Sequence, residues 1–512
     1  MAWHDARAVR TLYRAARVHT QVSPQVGEWL LVDGRHVQRA GVGDPPSADR
    51  VVDLPGATIV PGFIDTHVHL TETGLSLANS DVEAARSSGE LLDVVRRRAT
   101  EGEAQSPLFL LGYDESTWER PVLPTIDALD ASSARPLVVR RVDGHAALAN
   151  RAALDAADVL DLPGVERDAA GHPTGRLTQH ANNAIGLWVM TAVDDHERQD
   201  LQLQAASLAA SRGVTAVHEM SMPHWNGEHD LRVLLDQRGR LPVDTAPHVA
   251  STDMSAAIGN GLPTIGGDLP VDGSIGAMTA WLWEPYLGGG AGAAYFADDD
   301  LAEFFHSGHG AGLQVGVHAI GDRAIDQVLT VWERVYHALD SRERRHFRAR
   351  RHRIEHFEVV STEQVERAAM LGLAASVQPA FDAAWGGADG LYERQLGARR
   401  AAAMNPFRTM LERGVEVGVG SDSPITTLDP MRAIVALEGH HDPSQRLGRA
   451  EAIRLHTIGS ARIGHQEGKK GALAPGMHAD LAAYDVDPFE EPSIDGLRPV
   501  LTVSLGREVF AS

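Results

Sequence analysis

The chain has 512 residues, 43% of them hydrophobic, and a formal net charge of −22, a composition too apolar for a disordered chain and long enough to bury a large core. No basic run offsets that charge locally, which argues against nucleic-acid and membrane partners. It contains no cysteine, so disulfides, thiolate zinc sites, iron–sulfur clusters and a cysteine nucleophile are excluded, and any metal must be held by His, carboxylate or another oxygen.

The N-terminal MAWHDARAVRTLYRAARV carries arginines but no apolar core of signal-peptide length, and no later stretch approaches about 20 uncharged apolar residues. A cytoplasmic protein with a small-molecule partner is the expectation, with a homo-oligomer left open. The first 57 residues read as short strands and turns, including an Asp-Gly hairpin signal at Asp33 and Gly34. The last segment, from GALAPGMHADLAAYDVDPF to PVLTVSLGREVF, has the same texture. Between them, strand-like runs alternate with helical stretches, the pattern of a parallel α/β architecture. The runs include Thr215 to Met220, Gln314 to Gly321, His352 to Val360, Ala374 to Pro379 and Val415 to Pro424; DRAIDQVLTVWERVYHAL and TEQVERAAMLG read as helices, and the Gly-rich Leu287 to Ala294 as a loop.

The string PGFIDTHVHL, Pro61 to Leu70, ends an apolar run with His67 and His69. Residues two apart on a strand share a face, so these imidazoles converge and can hold a metal. His318 closes QVGVH, His356 closes HRIEH and Asp422 closes GVGSD. In a (β/α)8 barrel the C-terminal strand ends share one rim, where such residues meet. The same alternation points His352 and Ile354 to the face of His356, and sends Arg353 and Glu355 outward as a structural ion pair.

This set resembles the amidohydrolase superfamily, in which the first barrel strand carries His-x-His, the fifth and sixth one His each and the eighth Asp. Within it the chain is most similar to the YtcJ-like branch, which includes N-substituted formamide deformylases. The shared motifs are GYDESTW at Gly112 to Trp118, VDGHAALANRAAL at Val142 to Leu154, VDGSIGAMTA at Val271 to Ala280, HAIGDRA at His318 to Ala324, RIEH at Arg353 to His356, SVQP at Ser376 to Pro379, GSDSP at Gly420 to Pro424 and GALAPGMHADL at Gly471 to Leu481. The resemblance implies an α/β fold in three segments. Residues 58–464 would form a (β/α)8 TIM-like barrel, and residues 1–57 and 465–512 the two parts of a small β-sandwich.

It further implies His67, His69, His318, His356 and Asp422 as metal ligands. An ion so held activates a water at neutral pH, and Asp422 is the natural general base for cleaving a C–N bond of an amide or formamide. A deaminase or esterase on the same fold, or a catalytically silent scaffold, are the alternatives. His145 is a candidate donor to the substrate carbonyl. Asp65, Asp322 and Arg323 are candidates for orienting ligands or binding substrate, and Trp118, Trp281, Trp283, Tyr286 and Trp385 for an aromatic pocket. The chain departs from the pattern at two places: Asp268 stands where branch members carry a lysine before Asp-Gly-Ser, and Gln179 where they carry Glu. The only lysines, Lys469 and Lys470, follow the last strand, so a carboxylated-lysine bridge is excluded. Glu219 or Asp268 could replace it, yet neither lies in a bridge motif. Without a bridge, two dications at ~3.5–4 Å repel, so the expectation is one divalent ion per chain, Zn2+.

Overall fold

A computed structural model describes residues 9–512 except 24 and 102–105; the first eight residues of the N-terminal segment, and the reading made of them, lie outside it. Eight parallel strands alternate with helices through the middle of the chain. Phe63–Val68, Val214–Ser221 and Asp244–Val249 form one sheet, with Val214–Ser221 central. Thr264–Ile265, Gln314–Ala319, Arg353–His356, Ala374–Val377 and Glu416–Val419 form the other, in chain order. Backbone hydrogen bonds also run between the two sheets. Gly266 N–H donates to Val249 O (2.8 Å), Asp422 N–H to His67 O (2.8 Å) and His69 N–H to Ser423 O (2.9 Å).

Phe63–Val68, Val214–Ser221 and Gln314–Ala319 are buried along their whole length, as parallel strands covered on both faces require. The helices follow from their sequences. Asp322–Ala338 buries Ala324, Ile325, Val328, Leu329, Val331, Trp332 and Val335 on one stripe. Thr362–Leu371 starts in a capping box, the Ser361 side chain accepting from Gln364 N–H and Gln364 from Ser361 N–H, and ends at Gly372 with φ +71°.

Between the first and second parallel strands the chain makes a separate five-stranded sheet, Leu108–Tyr113, Leu137–Arg141, Ala146–Ala149, Pro173–Thr178 and Val165–Arg167 in spatial order. It lies over the C-terminal ends of the parallel strands, because its Arg141 and His145 line a cavity together with Asp422. The two ends of the chain share a seven-stranded sheet of Arg507–Ala511, Leu501–Ser504, Leu481–Tyr484, Arg50–Pro61, Arg10–His19, Val26–Asp33 and His36–Gly41. The hairpin at Asp33 and Gly34 forms as its sequence predicts, Gly34 taking φ +57°. Among the described residues no helix is long and apolar enough to cross a membrane.

Candidate metal centre

Six side chains meet at the C-terminal ends of the parallel strands. His67 Nε2 lies 3.4 Å from Asp422 Oδ1 and 3.6 Å from Asp268 Oδ1, and His69 Nε2 3.1 Å and 3.5 Å from Asp422 Oδ1 and Asp268 Oδ2. On the other side, Asp268 Oδ1 is 3.3 Å from His318 Nδ1 and 3.1 Å from His356 Nε2. All six residues are buried. Asp268 thus stands between two histidine pairs, within three residues of Thr264–Ile265. Of the two carboxylates that could take the lysine's place, it alone joins the cluster. Glu219 turns away to accept from Leu70 N–H (2.8 Å), and burial pushes its pKa up to about 8.

Each histidine is oriented by its second ring nitrogen. Nδ1 of His67 donates to Glu355 Oε2 (3.0 Å), of His69 to Met220 O (3.0 Å) and of His356 to Gln378 Oε1 (2.9 Å), which leaves a lone pair on each Nε2 facing the cluster. His318 is reversed: Nε2 faces Gly273 O (3.3 Å) and Nδ1 faces Asp268. Two atoms aimed inward, His67 Nε2 and Asp422 Oδ1, are buried without a hydrogen-bond partner. Two ligands at 2.0–2.1 Å from a tetrahedral ion lie about 3.3 Å apart, and the separations here, 3.1–3.6 Å, bracket that value. The donor set and its spacing fit divalent metal.

The alternation read from the sequence fails at one strand. Arg353 and Glu355 face the interior, and His352 and Ile354 face the helices. Glu355 holds His67 as described and receives a two-pronged contact from Arg353, at 2.8 Å for both Nε and Nη2. Arg353 Nη2 also donates to Thr66 O (2.9 Å), and Nη1 meets His218 Nδ1 (2.9 Å). His352 stacks on Trp332, ring centroids 4.3 Å apart. His356 reaches the cluster because its backbone leaves the strand at φ +70°, which turns the side chain to the other face; Asp422, three residues past Glu416–Val419, also has a left-handed backbone, at φ +55°.

Asp65 ties two of the strands together, its Oδ1 accepting from His67 N–H (3.1 Å) and Ser421 N–H (2.9 Å). A side chain at Gly420 could not fit, since a Cβ there would lie 2.8 Å from His67 Cβ. A cavity opens beside Asp422, walled by His145, Phe381, Trp385, Glu358 and Tyr392. Burial, and then the neighbouring His318, lowers the His145 pKa to about 4, so this imidazole is neutral at pH 7 and keeps one N–H. Gln179 lines an adjoining cavity with His145 and Asp268.

Six of the proposed ligand-orienting or pocket residues lie elsewhere. Trp118 is core, its Nε1–H donating to Ala85 O (3.1 Å). Asp322 accepts from Trp283 N–H (3.0 Å), and the Arg323 guanidinium lies 4.2 Å and 4.5 Å from the rings of Trp281 and Trp283, so charge and aromatic surface satisfy each other behind the His318 loop. Tyr286 is buried with its hydroxyl donating to Ala280 O (3.0 Å). Trp385 alone among the named tryptophans reaches the cavity beside Asp422. Phe381, Glu358 and Tyr392 were not marked by the motifs, although Phe381 and Glu358 follow SVQP and RIEH by only two residues. The lysines are remote: Lys470 is buried against Asp480 (2.7 Å) and Asp244 (3.1 Å), the latter at the opposite end of its strand from the cluster.

Residues 50–510 match the model of the amidohydrolase family. The chain belongs to the amidohydrolase family. It is 28% identical to the putative amidohydrolase YtcJ of Bacillus subtilis, over 87% of each chain. It is 25% identical to the N-substituted formamide deformylase of Arthrobacter pascens, over 91% of this chain and 90% of that one. An uncharacterized metal-dependent hydrolase of Pyrococcus furiosus, solved by crystallography, superposes with a TM-score of 0.72 at 26% identity, covering 94% of this chain and all of the other. This amidohydrolase is an enzyme, a hydrolase whose site is built to bind divalent metal.

Proposed function

We propose that this amidohydrolase cleaves the C–N bond of a small amide or formamide, with Asp422 as general base and the cluster of four histidines, Asp268 and Asp422 as its metal site. The eight parallel strands close into a (β/α)8 barrel, supported by the backbone bonds from Asp422 to His67 and from Gly266 to Val249, and residues 1–57 and 465–512 form one subdomain on the seven-stranded sheet. The observation that carries the reading is three overlapping triads of buried ligand atoms, two of which, His67–His69–Asp268 and Asp268–His318–His356, share Asp268 while the third adds Asp422. A single ion was expected because no anion stood between two sites; Asp268 stands there, so two ions per chain are proposed.

When bound, divalent metal there supplies Lewis acidity and makes a water nucleophilic at neutral pH. Asp422 offers one oxygen to His67 and His69 while its side chain also lines the cavity, so it can take a proton from the attacking water and later deliver it to the leaving nitrogen. Neutral His145 donates its N–H to the substrate oxygen as charge builds on it in the tetrahedral intermediate. Phe381 and Trp385 cover the cavity with apolar surface and limit water access. The name of the A. pascens relative supports formamides as the class to try first.

A panel of N-formyl and N-acyl amines, with matched esters and amidines, tests this together with metal content. Release of amine from at least one formamide or amide, abolished by chelation and restored by Zn2+ or another divalent ion, is expected. Turnover of esters or amidines alone would assign a different bond.

A further inference from the structure

The cavity beside Asp422 is walled by polar side chains of two kinds. Arg141, Asp143 and Ser274 engage one another: Arg141 Nη1 donates to Asp143 Oδ2 (2.7 Å), and the Ser274 hydroxyl donates to the same oxygen (2.7 Å). Glu358 is engaged at one oxygen only. Its Oε2 accepts from the Tyr392 hydroxyl (2.7 Å), while Oε1 has no partner among the described residues and faces the cavity. Of its neighbours in the wall, Phe381, Leu391 and Ile425 have no side-chain donor, and Trp385 gives its Nε1–H to Asp114 Oδ2 (3.3 Å). Burial pushes the Glu358 pKa up to about 7, and the Tyr392 hydroxyl and His318 hold it down, so the carboxylate form is populated at neutral pH.

The backbone is bent to bring this carboxylate to the cavity. His356 and Phe357 are consecutive non-glycine residues with left-handed backbones, at φ +70° and +56°, a costly arrangement that persists only where the surrounding structure imposes it and that clusters at functional sites. Asn405 N–H then holds the Glu358 carbonyl (3.0 Å). A carboxylate oxygen enclosed by apolar groups costs stability unless a donor reaches it. Neutral His145 offers the cavity an N–H and Glu358 an empty acceptor, and one secondary amide satisfies both, its oxygen accepting and its N–H donating. An N,N-dialkyl amide or an ester has no N–H and leaves Oε1 stranded.

We infer that Glu358 is a specificity-determining residue whose Oε1 accepts the N–H of the scissile amide, so that the enzyme takes amides and formamides bearing a hydrogen on nitrogen and rejects tertiary ones. This rests on the proposed C–N hydrolysis for the identity of the scissile bond.

Calorimetric titration of the metal-loaded enzyme with N-propylmethanesulfonamide and its N-methyl derivative tests the acceptor without turnover, because neither has an acyl carbon. The N–H compound should bind at least about tenfold more tightly, the effect of a charge-assisted hydrogen bond. E358M keeps the bulk of the side chain and removes the acceptor, so it should weaken the N–H compound by about 10- to 100-fold and the N-methyl compound by less than about twofold. Thermal unfolding checks the fold, and E358M/Y392F, which removes both buried partners together, takes the place of E358M if that variant does not fold. Equal binding of the two probes, binding of neither, or an N–H preference that survives in the folded variant would overturn the inference, the last by assigning the preference to bulk or to nitrogen on metal. Turnover separates it from the hydrolase reading. If N-propylformamide and N-methyl-N-propylformamide are cleaved equally well, the acceptor role fails and hydrolysis stands; if the sulfonamides behave as stated and neither formamide is cleaved, the acceptor stands and the choice of bond fails.

Discussion

Asp268 and Asp422 both face His67 and His69, yet they touch the rest of the molecule differently. Asp268 also contacts His318 and His356, and lines only the adjoining cavity with Gln179 and His145. Asp422 faces the cavity where substrate must lie. Their isosteric amides should therefore fail in different ways. Asp268→Asn removes the shared anion between two dications, so metal content by elemental analysis should fall from about two ions per chain to about one; an unchanged count of two would rule out Asp268 as the bridge. Asp422→Asn should retain metal in at least the Asp268, His318 and His356 position, but lower turnover by about 10²-fold or more, the effect of losing a general base. A folded Asp422→Asn enzyme with near-normal turnover would sink the proton-transfer role.

The strand Arg353–His356 marks how far the sequence could be read. Strand ends bearing His67, His69, His318, His356 and Asp422 are legible because each closes an apolar run, and the helices Asp322–Ala338 and Thr362–Leu371 fall where their periodicity places them. Which face a side chain takes is legible only while the strand stays extended. At His356 the left-handed backbone inverts the alternation, and the interior chain from Arg353 through Glu355 to His67 reads from sequence as an exterior ion pair. Asp268 was legible only as one of two carboxylates that could replace the lysine, for a different reason. The strand before it is only two residues long, and a carboxylate there gains meaning only from four histidines brought to it by distant segments. The Arg353–Glu355–His67 chain makes its own prediction. Glu355→Gln replaces the carboxylate that holds His67 Nδ1–H with a neutral amide free to turn its NH2 toward the ring, and leaves Arg353 buried without its counter-charge. Removing one partner of a buried pair costs about 3–5 kcal/mol, and a lost orienting contact costs about 10- to 100-fold in metal affinity. Thermal unfolding should register the first effect, and competition with a chromophoric chelator well below the melting temperature the second. Native affinity in the mutant would reduce the chain to a purely structural pair.

At the scale of the whole molecule, the two chain ends depend on one another. Leu481–Tyr484 pairs antiparallel with Thr58 to Pro61, the last residues of the strand that leads to His67. Side chains from both ends share one core: Tyr13, Val18, Leu30 and Ile59 from the first segment, Leu473, Leu481, Leu501 and Val503 from the last. Burying an aliphatic side chain of this size contributes about 1.5–3 kcal/mol, so four of them together rival the about 5–15 kcal/mol by which a protein is stable. Deleting residues 465–512 removes them along with three strands, and uncovers the edge of Arg50–Pro61 as unpaired backbone. The remaining N-terminal strands should lose protection. A lower melting temperature, and proteolysis concentrated between residues 10 and 61, are the expected results. The damage should also reach the metal centre, since His67 and Asp65 lie on the strand that continues directly from Arg50–Pro61, so the truncated chain should bind less metal than the full one. A truncated protein with unchanged melting temperature, a protease-resistant N-terminal segment and full metal content would show that the two ends fold independently.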